Sequence, residues 1–516
     1  MTRGPDGGPA YGGTPSDAGL TRLVAELRRR GLKVVLYPFL MMDVAAGKTL
    51  PDPRDPSAPG QPPYPWRGRI TCDPAPGLPG SPDGTEAAGA QVAAFFARPD
   101  GYRRLVLHYA DLAAGWAGQG LALDGFIIGS EFVGLTRVRA EGDRYPAVEA
   151  FRALAQEVRA RLPGVPLVYA ADWTEYGAHV RDRGATLRFP LDALFADPAV
   201  AAIGIDYYPP LSDWRDGADH ADLARGAAIY DPAYLRGGLG AGEAFDWYYA
   251  SPADRLAQIR TPITDGAYEK PWIYRAKDLV AWWSNPHVER DGGVEARATA
   301  WVPGSKPIWL TEIGVPAVDK GTNGPNVFLD PKSSENAAPP LSRGGRDDLI
   351  QMRGLSAILS RFDAALPGFA QADNPVSPLY DGRMVPADWI FVWCWDARPF
   401  PAFPDLDTVW ADAPNCAIGH WIGGRVEGLE LDCLIAAILA DLGITVPAEI
   451  TASAFLDGYV LDRPLSARAA LEPLATLFGL DVSAVAGRLR IRSPRTETAW
   501  PTRRRSSWQS GPTLRP

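Results

Sequence analysis

Two glutamates combine residue type and position in a way that suggests chemistry: Glu131 in GFIIGSEF and Glu312 in KPIWLTEIG. Each follows an apolar run typical of a buried strand, at a place where ordinary loop residues are expected. Two such acids on separate strands of one barrel are sufficient to cleave a glycosidic bond. Either glutamate alone is better explained as a helix cap or as the partner of an arginine, whereas the pair favours catalysis.

The elements that must position these acids are parallel strands, because six strand-like segments alternate with helical ones. The predicted strands are residues 33–38, 123–131, 166–173, 199–208, 306–312 and 389–395. Catalytic groups of such barrels lie at the carboxyl ends of the strands. In this chain that end carries Glu131, Asp172, Tyr207, Glu312 and Trp395.

Helical periodicity predicts helices over residues 17–30, 91–119, 147–162, 345–365 and 429–444. Residues 44–90 are rich in proline and glycine, and residues 210–300 are rich in aromatic residues and glycine. Both stretches are too long for ordinary connections. We therefore expect them to form the walls of a substrate groove.

A closed barrel of this type needs eight strands, and six are found. If residues 33–38 form the third strand, Glu131 and Glu312 fall on the fourth and the seventh. The expected architecture is a (β/α)8 barrel in residues 1–425 that lacks its first two strands, in a truncated chain. Its open sheet edges would then favour aggregation.

The character of the sequence changes after the barrel. Residues 426–493 predict a small α+β module, and residues 494–516 are expected to be a disordered or aberrant terminus. This terminus is arginine-rich, and a nucleic-acid-binding tail is the less favoured interpretation.

Composition excludes several classes of function. The net charge of −9 argues against nucleic acid and anionic membranes as partners. The N-terminus has no apolar signal segment and no apolar run suggests a membrane anchor, so synthesis in the cytoplasm is expected. The five histidines are scattered and the four cysteines lack C-x-x-C spacing, so neither a metal nor a cofactor is predicted.

Long segments of the chain resemble a known family. They include YPFLMMD (37–43), YPWRGRITC (64–72), GFIIGSEF (125–132), IGIDYYPPLSDWRDG (203–217), KPIWLTEIGVPAVDKGTNG (306–324) and WCWDARPFPAFP (393–404). Over residues 10–425 the chain is similar to the TIM-barrel domain of the baseplate, or host specificity, protein of gene transfer agents and related phage tails. Residues 426–493 resemble the tail-protein domain that follows it. The resemblance implies incorporation into the tail of a phage-like particle, with other tail or baseplate proteins as partners.

The barrel is in turn similar to retaining glycoside hydrolases with catalytic glutamates on the fourth and seventh strands. The resemblance implies Glu131 as acid/base and Glu312 as nucleophile. Ser130 stands where those enzymes place an asparagine that binds the substrate 2-hydroxyl. Tyr207 corresponds to a tyrosine against the nucleophile, and Trp395 to an aromatic residue of the eighth strand.

The other predicted substrate-binding residues are Asp172, Trp173, Asp206 and Trp393. For the two aspartates, pairing with arginine is an equally good explanation. For each tryptophan, core packing is the alternative to stacking on a sugar ring. The implied substrate is a polysaccharide met during cell entry, such as peptidoglycan glycan, capsule or lipopolysaccharide.

The predicted mechanism sets geometric expectations. Glu131 should be protonated and Glu312 ionised, with Tyr207 donating a hydrogen bond to Glu312. A retaining enzyme separates its two carboxyl groups by about 5–5.5 Å, and an inverting enzyme by about 6.5–9.5 Å. The rival hypothesis is an inactive structural or glycan-binding barrel. An open groove between the carboxyl groups favours catalysis, whereas burial of either one in an ion pair favours the rival.

Overall fold

The computed structural model describes residues 14–42, 44, 49–266, 268–398, 402–410, 412–422, 429–456, 459, 461 and 465–493. The chain divides into two compact units, residues 1–423 and 424–516. The boundary predicted at 425/426 and the predicted terminal segment 494–516 lie outside the described residues.

The first unit contains twelve strands in its described part. They are β1 (Val35–Leu36), β2 (Gly125–Ser130), β3 (Leu167–Asp172), β4 (His179–Arg181), β5 (Thr186–Arg188), β6 (Ala202–Tyr207), β7 (Trp247–Tyr248), β8 (Thr261–Pro262), β9 (Val288–Asp291), β10 (Val294–Ala298), β11 (Ile308–Ile313) and β12 (Ile390–Val392). Six of them form a curled parallel sheet in the order β1-β2-β3-β6-β11-β12. These six correspond to the six predicted strands, which confirms the α/β class and the parallel sheet.

The helices of the first unit connect the strands and cover the sheet. They are α1 (Asp17–Arg29), α2 (Glu86–Ala97), α3 (Tyr102–Ala117), α4 (Val133–Thr136), α5 (Pro146–Arg161), α6 (Asp192–Phe195), α7 (Pro232–Gly238), α8 (Pro252–Ala257), α9 (Leu279–Ser284), α10 (Asp348–Phe362) and α11 (Ala402–Asp405). Short 3-10 turns supplement them, among them Arg67–Arg69.

The predicted single helix over 91–119 is wrong, because α2 ends at Ala97 and α3 begins at Tyr102. Pro99 lies in the break, and a proline in a helix interior removes a hydrogen bond and clashes with the preceding turn. A methyl group on Gly101 would lie 2.8 Å from the carbonyl oxygens of Phe95 and Phe96. Only glycine therefore permits this close reversal between the two helices.

Strands β2, β3, β6 and β11 are buried along their whole length, as expected for parallel strands covered on both faces. Alternate residues face opposite sides of a strand. In β6, Ile203 and Ile205 belong to the large core shared with the helices, whereas Ala202 belongs to a small cluster with Ile127, Val168 and Trp309. This small cluster fills the concave side of the curled sheet.

The two edge strands approach each other through side chains. Lys33, just before β1, forms a 2.7 Å ion pair with Asp388, just before β12. Beyond the other ends of these strands, the rings of Phe39 and Trp393 stack at 5.5 Å. In the described residues the sheet is a curled half-barrel whose edge strands β1 and β12 are not paired but meet through these side chains, and its completion by two further strands stays a prediction.

The stretch predicted as a groove wall, 210–300, is partly built into a second sheet. Its strands β9 and β10 join β5 and β4 in the antiparallel order β10-β9-β5-β4. Trp282, Trp301 and His287 in the same stretch are buried, and their rings stack on one another. Core packing therefore explains this group of aromatic residues.

The second unit is a small α+β arrangement in its described part. It contains β13 (Leu429–Glu430), α12 (Leu431–Asp441), β14 (Ala448–Thr451), β15 (Phe455–Leu456), α13 (Ala467–Phe478), β16 (Asp481–Val485) and β17 (Arg488–Arg492). Strands β14, β17 and β16 form one sheet, and the two helices share a core with Ile491.

Candidate active site

The acidic residues at the strand ends converge on the concave side of the half-barrel. The register aligns Asp172 of β3 and Glu312 of β11 with Asp206 of β6. One carboxylate oxygen from each of Glu131, Asp206 and Glu312 lies within 4.8 Å of the other two. The two glutamates of the sequence prediction therefore meet, although their strands are not neighbours in the sheet.

Glu131 has a strained backbone that aims its side chain. Its φ of 52° lies in the left-handed region, which costs of order 1–3 kcal/mol for a residue other than glycine. Its backbone N–H nevertheless continues the ladder by donating to Ala170 O at 2.8 Å. Such strain is kept where the surrounding structure fixes a side chain in a useful direction.

A buried arginine, which the sequence analysis missed, lies between the two glutamates. Arg67 Nη2 is 2.8 Å from Glu131 Oε2 and 3.9 Å from Glu312 Oε1. Its guanidinium also stacks on the ring of Phe39 at 3.8 Å. The indole N–H of Trp66 donates to the same Glu131 oxygen at 2.7 Å. Glu131 is thus buried in an ion pair, the arrangement that the sequence analysis associated with a non-catalytic barrel.

Ser130 is occupied by protein partners. Its hydroxyl donates to Asp206 Oδ2 at 3.0 Å and accepts from Arg67 Nη2 at 2.6 Å. The Tyr37 hydroxyl also donates to Ser130 Oγ. A sugar hydroxyl that binds Ser130 must therefore replace one of these contacts.

Asp206 is the centre of this polar network. Thr311 Oγ1 donates to Asp206 Oδ1 at 2.7 Å, and Asp206 is fully buried. Burial raises the pKa of Asp206 well above its usual range, and the charges of Glu312 and Glu131 raise it further. Asp206 is therefore placed to hold Ser130 and Thr311 rather than to carry a free negative charge.

The tyrosine against the predicted nucleophile is Tyr208, so the prediction for Tyr207 is wrong. The Tyr208 hydroxyl donates to Glu312 Oε2 at 2.7 Å. The Tyr207 hydroxyl instead donates to Lys277 O at 3.3 Å, and its ring packs against Phe362. The cause is strand alternation: Asp206 and Tyr208 face the concave side, and Tyr207 faces the helices.

Asp172 and Trp173 lie at the predicted strand end, but their contacts are structural. Asp172 Oδ1 accepts from Thr174 N at 2.8 Å and from Thr174 Oγ1 at 2.5 Å, which closes a turn. Burial, followed by the charge of Glu131, raises the pKa of Asp172 to about 6. Trp173 is buried in the main core.

The last two predicted residues differ in exposure. Trp393 is partly buried and stacks on Phe39, so it continues the stack that begins at Arg67. Trp395 is 65% exposed. An exposed indole of this kind offers a face to a sugar ring.

The electrostatics differ from the expected pattern at Glu312. Burial, followed by the negative charge of Glu131, raises the pKa of Glu312 to about 8, although Arg67, Tyr208 and Tyr37 lower it. In this closed arrangement Glu312 is therefore protonated at neutral pH. The prediction that Glu312 is the ionised partner is wrong for the structure as it stands.

Three carboxylates at this spacing also match the ligand preference of divalent cations. The guanidinium of Arg67 already supplies a positive charge at 2.8 Å from one of them. A cation at this place would therefore compete with Arg67.

Fold and site together define an α/β half-barrel with a cluster of carboxyl groups on its concave side. The profile of the GTA TIM-barrel-like domain matches residues 100–404. That is more than half of the 516-residue chain, and the chain belongs to this family. No curated protein matches the chain.

The matched region contains Glu131, Asp206, Tyr208 and Glu312, whereas Tyr37, Trp66 and Arg67 precede it. Among the described residues, the helices are too short or too polar to cross a bilayer.

Proposed function

We propose that the protein is a tail or baseplate component of a gene transfer agent or related phage-like particle. In this proposal its barrel is a retaining glycosidase for a host cell-surface or cell-wall polysaccharide. The observation that supports it is the approach of Glu131 and Glu312 oxygens to within 4.8 Å. This upper limit on one pair of oxygens is compatible with the about 5–5.5 Å between the carboxyl groups of retaining enzymes and lies below the inverting range of about 6.5–9.5 Å.

In the proposed reaction, a Glu312 oxygen attacks the anomeric carbon while Glu131 donates its proton to the leaving oxygen. The C–O bond of the glycoside breaks and a glycosyl ester of Glu312 forms. Water then attacks the same carbon, Glu131 takes its proton, and the ester bond breaks. Tyr208 supports this role of Glu312, because its hydrogen bond at 2.7 Å stabilises the carboxylate.

One proton shared between the two glutamates is required for this chemistry. Because the pKa of Glu312 is raised to about 8, the shared proton resides mainly on Glu312 in the closed site. The proposed reaction then requires this proton to move from Glu312 to Glu131. Activity should fall as pH rises through about 8, where the pair loses this proton.

A second candidate function is an inactive barrel that builds the tail or binds glycan. The observation that favours it is the buried ion pair between Arg67 and Glu131. In that case the carboxylates and Arg67 form a fixed structural network, and other tail or baseplate proteins are the partners.

Hydrolysis assays distinguish the two functions. Purified peptidoglycan, capsule and lipopolysaccharide fractions are incubated with the wild type and with Glu131→Gln and Glu312→Gln. Retaining catalysis predicts reducing-end release by the wild type, and a drop of at least about 100-fold in both variants. Equal release by all three proteins would refute the glycosidase.

A further inference from the structure

The segment that carries Trp66 and Arg67 covers the carboxylate pair. We define residues 63–70 as the strap. Glu131 and Glu312 are only 7% and 5% exposed beneath it. We propose that the strap is an autoinhibitory element that occupies the sugar-binding position and must withdraw before substrate enters. This inference rests on the glycosidase proposed above.

The chemistry of Arg67 suits this role. The transition state of glycoside cleavage is a planar, delocalised cation held between two carboxyl groups. A guanidinium is also planar and delocalised, and Arg67 Nη2 lies 2.8 Å from one glutamate and 3.9 Å from the other. Arg67 therefore fills the place where the positive charge of the reacting sugar would develop.

Trp66 donates to the same oxygen of Glu131 that Arg67 contacts. Glu131 Oε2 receives both the guanidinium of Arg67 and the indole N–H of Trp66 at 2.7 Å. With both donors bound, this oxygen has no room for the leaving oxygen of a glycoside. One movement of the strap removes both donors.

The strap is bound to the loop of residues 333–335 by a few hydrogen bonds and ion pairs. Tyr64 O accepts from Ser333 Oγ at 2.8 Å, and Pro63 O accepts from Ser334 N at 3.0 Å. Arg69 pairs with Glu335 at 3.4 Å and with Asp52 at 3.5 Å. Arg69 and Glu335 are each about one-third exposed, and an ion pair at such a place contributes little. Opening must also break the buried contacts of Arg67 with Glu131, Ser130 and Tyr37, and these are the contacts that an entering substrate has to replace.

A second contact limits how closely the strap can lie. Its backbone presses on Gly134 of α4, where a methyl group would lie 2.5 Å from Gly68 O and 2.7 Å from Ile70 O. Gly134→Ala should therefore push the strap outwards without changing a carboxylate or its partners. Gly115→Ala is the matched control, because a methyl group there meets nothing within 4 Å.

The test measures access to the carboxyl groups directly. Intact protein is treated with a water-soluble carbodiimide and glycine ethyl ester, and the modification of Glu131 and Glu312 is followed by peptide mass spectrometry. We expect about fivefold faster labelling or more in Gly134→Ala, and about two- to fivefold in Arg69→Ala. Gly115→Ala and Arg144→Ala should match the wild type, since Arg144 pairs with Glu86 and Glu149 away from the strap.

Buried Asp192 reports on unfolding, because its partners His287 and Thr299 lie outside the strap contacts and it is 1% exposed. If its labelling rises together with that of Glu131 in Gly134→Ala, the variant has unfolded. The labelling rates of Glu131 and Glu312 in Arg69→Ala then test the proposal instead. Unchanged labelling of Glu131 and Glu312 in the folded variants would overturn the proposed autoinhibitory role of the strap. Faster labelling of Gly134→Ala without hydrolysis of any polysaccharide by that same variant would support the strap and overturn the glycosidase, so the two failures are distinguishable.

Discussion

The hydrogen bond between Tyr208 and Glu312 gives the sharpest test of the site. Tyr208→Phe removes one hydroxyl that donates to Glu312 Oε2 at 2.7 Å in a buried position. Hydrogen bonds to charged groups contribute about 1.5–3 kcal/mol. If the ionised form of Glu312 is the nucleophile, kcat/KM should fall by about 10- to 150-fold, with the pKa of Glu312 raised further.

Tyr207→Phe is the matched control, because it deletes the same atom from the neighbouring residue. Its hydroxyl bonds Lys277 O on the opposite face of the strand, so kcat/KM should change little. Steady-state rates on a cleaved polysaccharide fraction, measured from pH 5 to 9, provide the comparison.

A stability measurement applies even without a substrate. Above about pH 8 Glu312 becomes ionised, and the hydrogen bond from Tyr208 then has a charged acceptor. Urea unfolding should therefore show a larger loss for Tyr208→Phe at pH 9 than at pH 6, with no such difference for Tyr207→Phe. Equal pH dependence in both variants would refute the assignment of Tyr208.

Three further predictions concern neighbouring groups. The folded pKa of Glu312 is about 8 and its ordinary value is 4.5, so the native state binds more protons than the unfolded state and stability falls as pH rises between these values. Urea unfolding from pH 4 to 9 should show this fall in the wild type. Glu312→Gln should reduce the total fall by up to about 5 kcal/mol. Arg67→Met should destabilise the fold by about 3–5 kcal/mol, because Glu131 is left buried and unpaired, and the double variant with Glu131→Gln should recover most of the loss in the same unfolding assay. Trp395 is 65% exposed, so Trp395→Ala should change unfolding by less than about 0.5 kcal/mol while reducing retention on immobilised polysaccharide; a large loss of stability would assign this indole to packing.

The sheet was predictable because its signal is local. A parallel strand covered on both faces is a short apolar run, and IIG before Ser130 or IWL before Thr311 has no competing interpretation as a surface helix. The carboxylate pair was predictable for a related reason, since an acid at the end of such a run must lie at the edge of the sheet. The break at Pro99–Gly101 was also visible in the sequence, but helical periodicity on both sides obscured it.

The assignment of Tyr207 instead of Tyr208 as the partner of Glu312 was wrong for a different reason. Two adjacent tyrosines follow Asp206, and only the alternation of β6 tells which one faces the glutamates. Asp206 and Tyr208 are two residues apart and therefore share a face. Period-two counting from Ala202 was sufficient to identify Tyr208, whereas correspondence by family position selected its neighbour.

Arg67 was not predictable from local patterns, because its place depends on a long loop that returns over the strands. Proline and glycine in residues 44–90 indicate a connection but not its course. A requirement for charge balance gives a partial signal, since buried Glu131, Asp206 and Glu312 need either a cation or protons. The WRG motif contains a cation beside an indole in that loop, but nothing in the motif indicates which carboxylates it meets.

The same requirement connects the strap to the chemistry. While Arg67 is in place, its charge offsets that of Glu131, and Glu312 and Asp206 remain neutral because burial raises both of their pKa values. The closed site therefore already holds one proton and one negative charge on its two glutamates. Two carboxyl groups that share one proton are what general acid catalysis with a neighbouring nucleophile requires. Withdrawal of the strap would therefore expose a pair that needs no further proton, and proton uptake on opening, measured for Gly134→Ala with a pH indicator in weak buffer, should match that of Gly115→Ala; clear uptake by Gly134→Ala would contradict this charge balance.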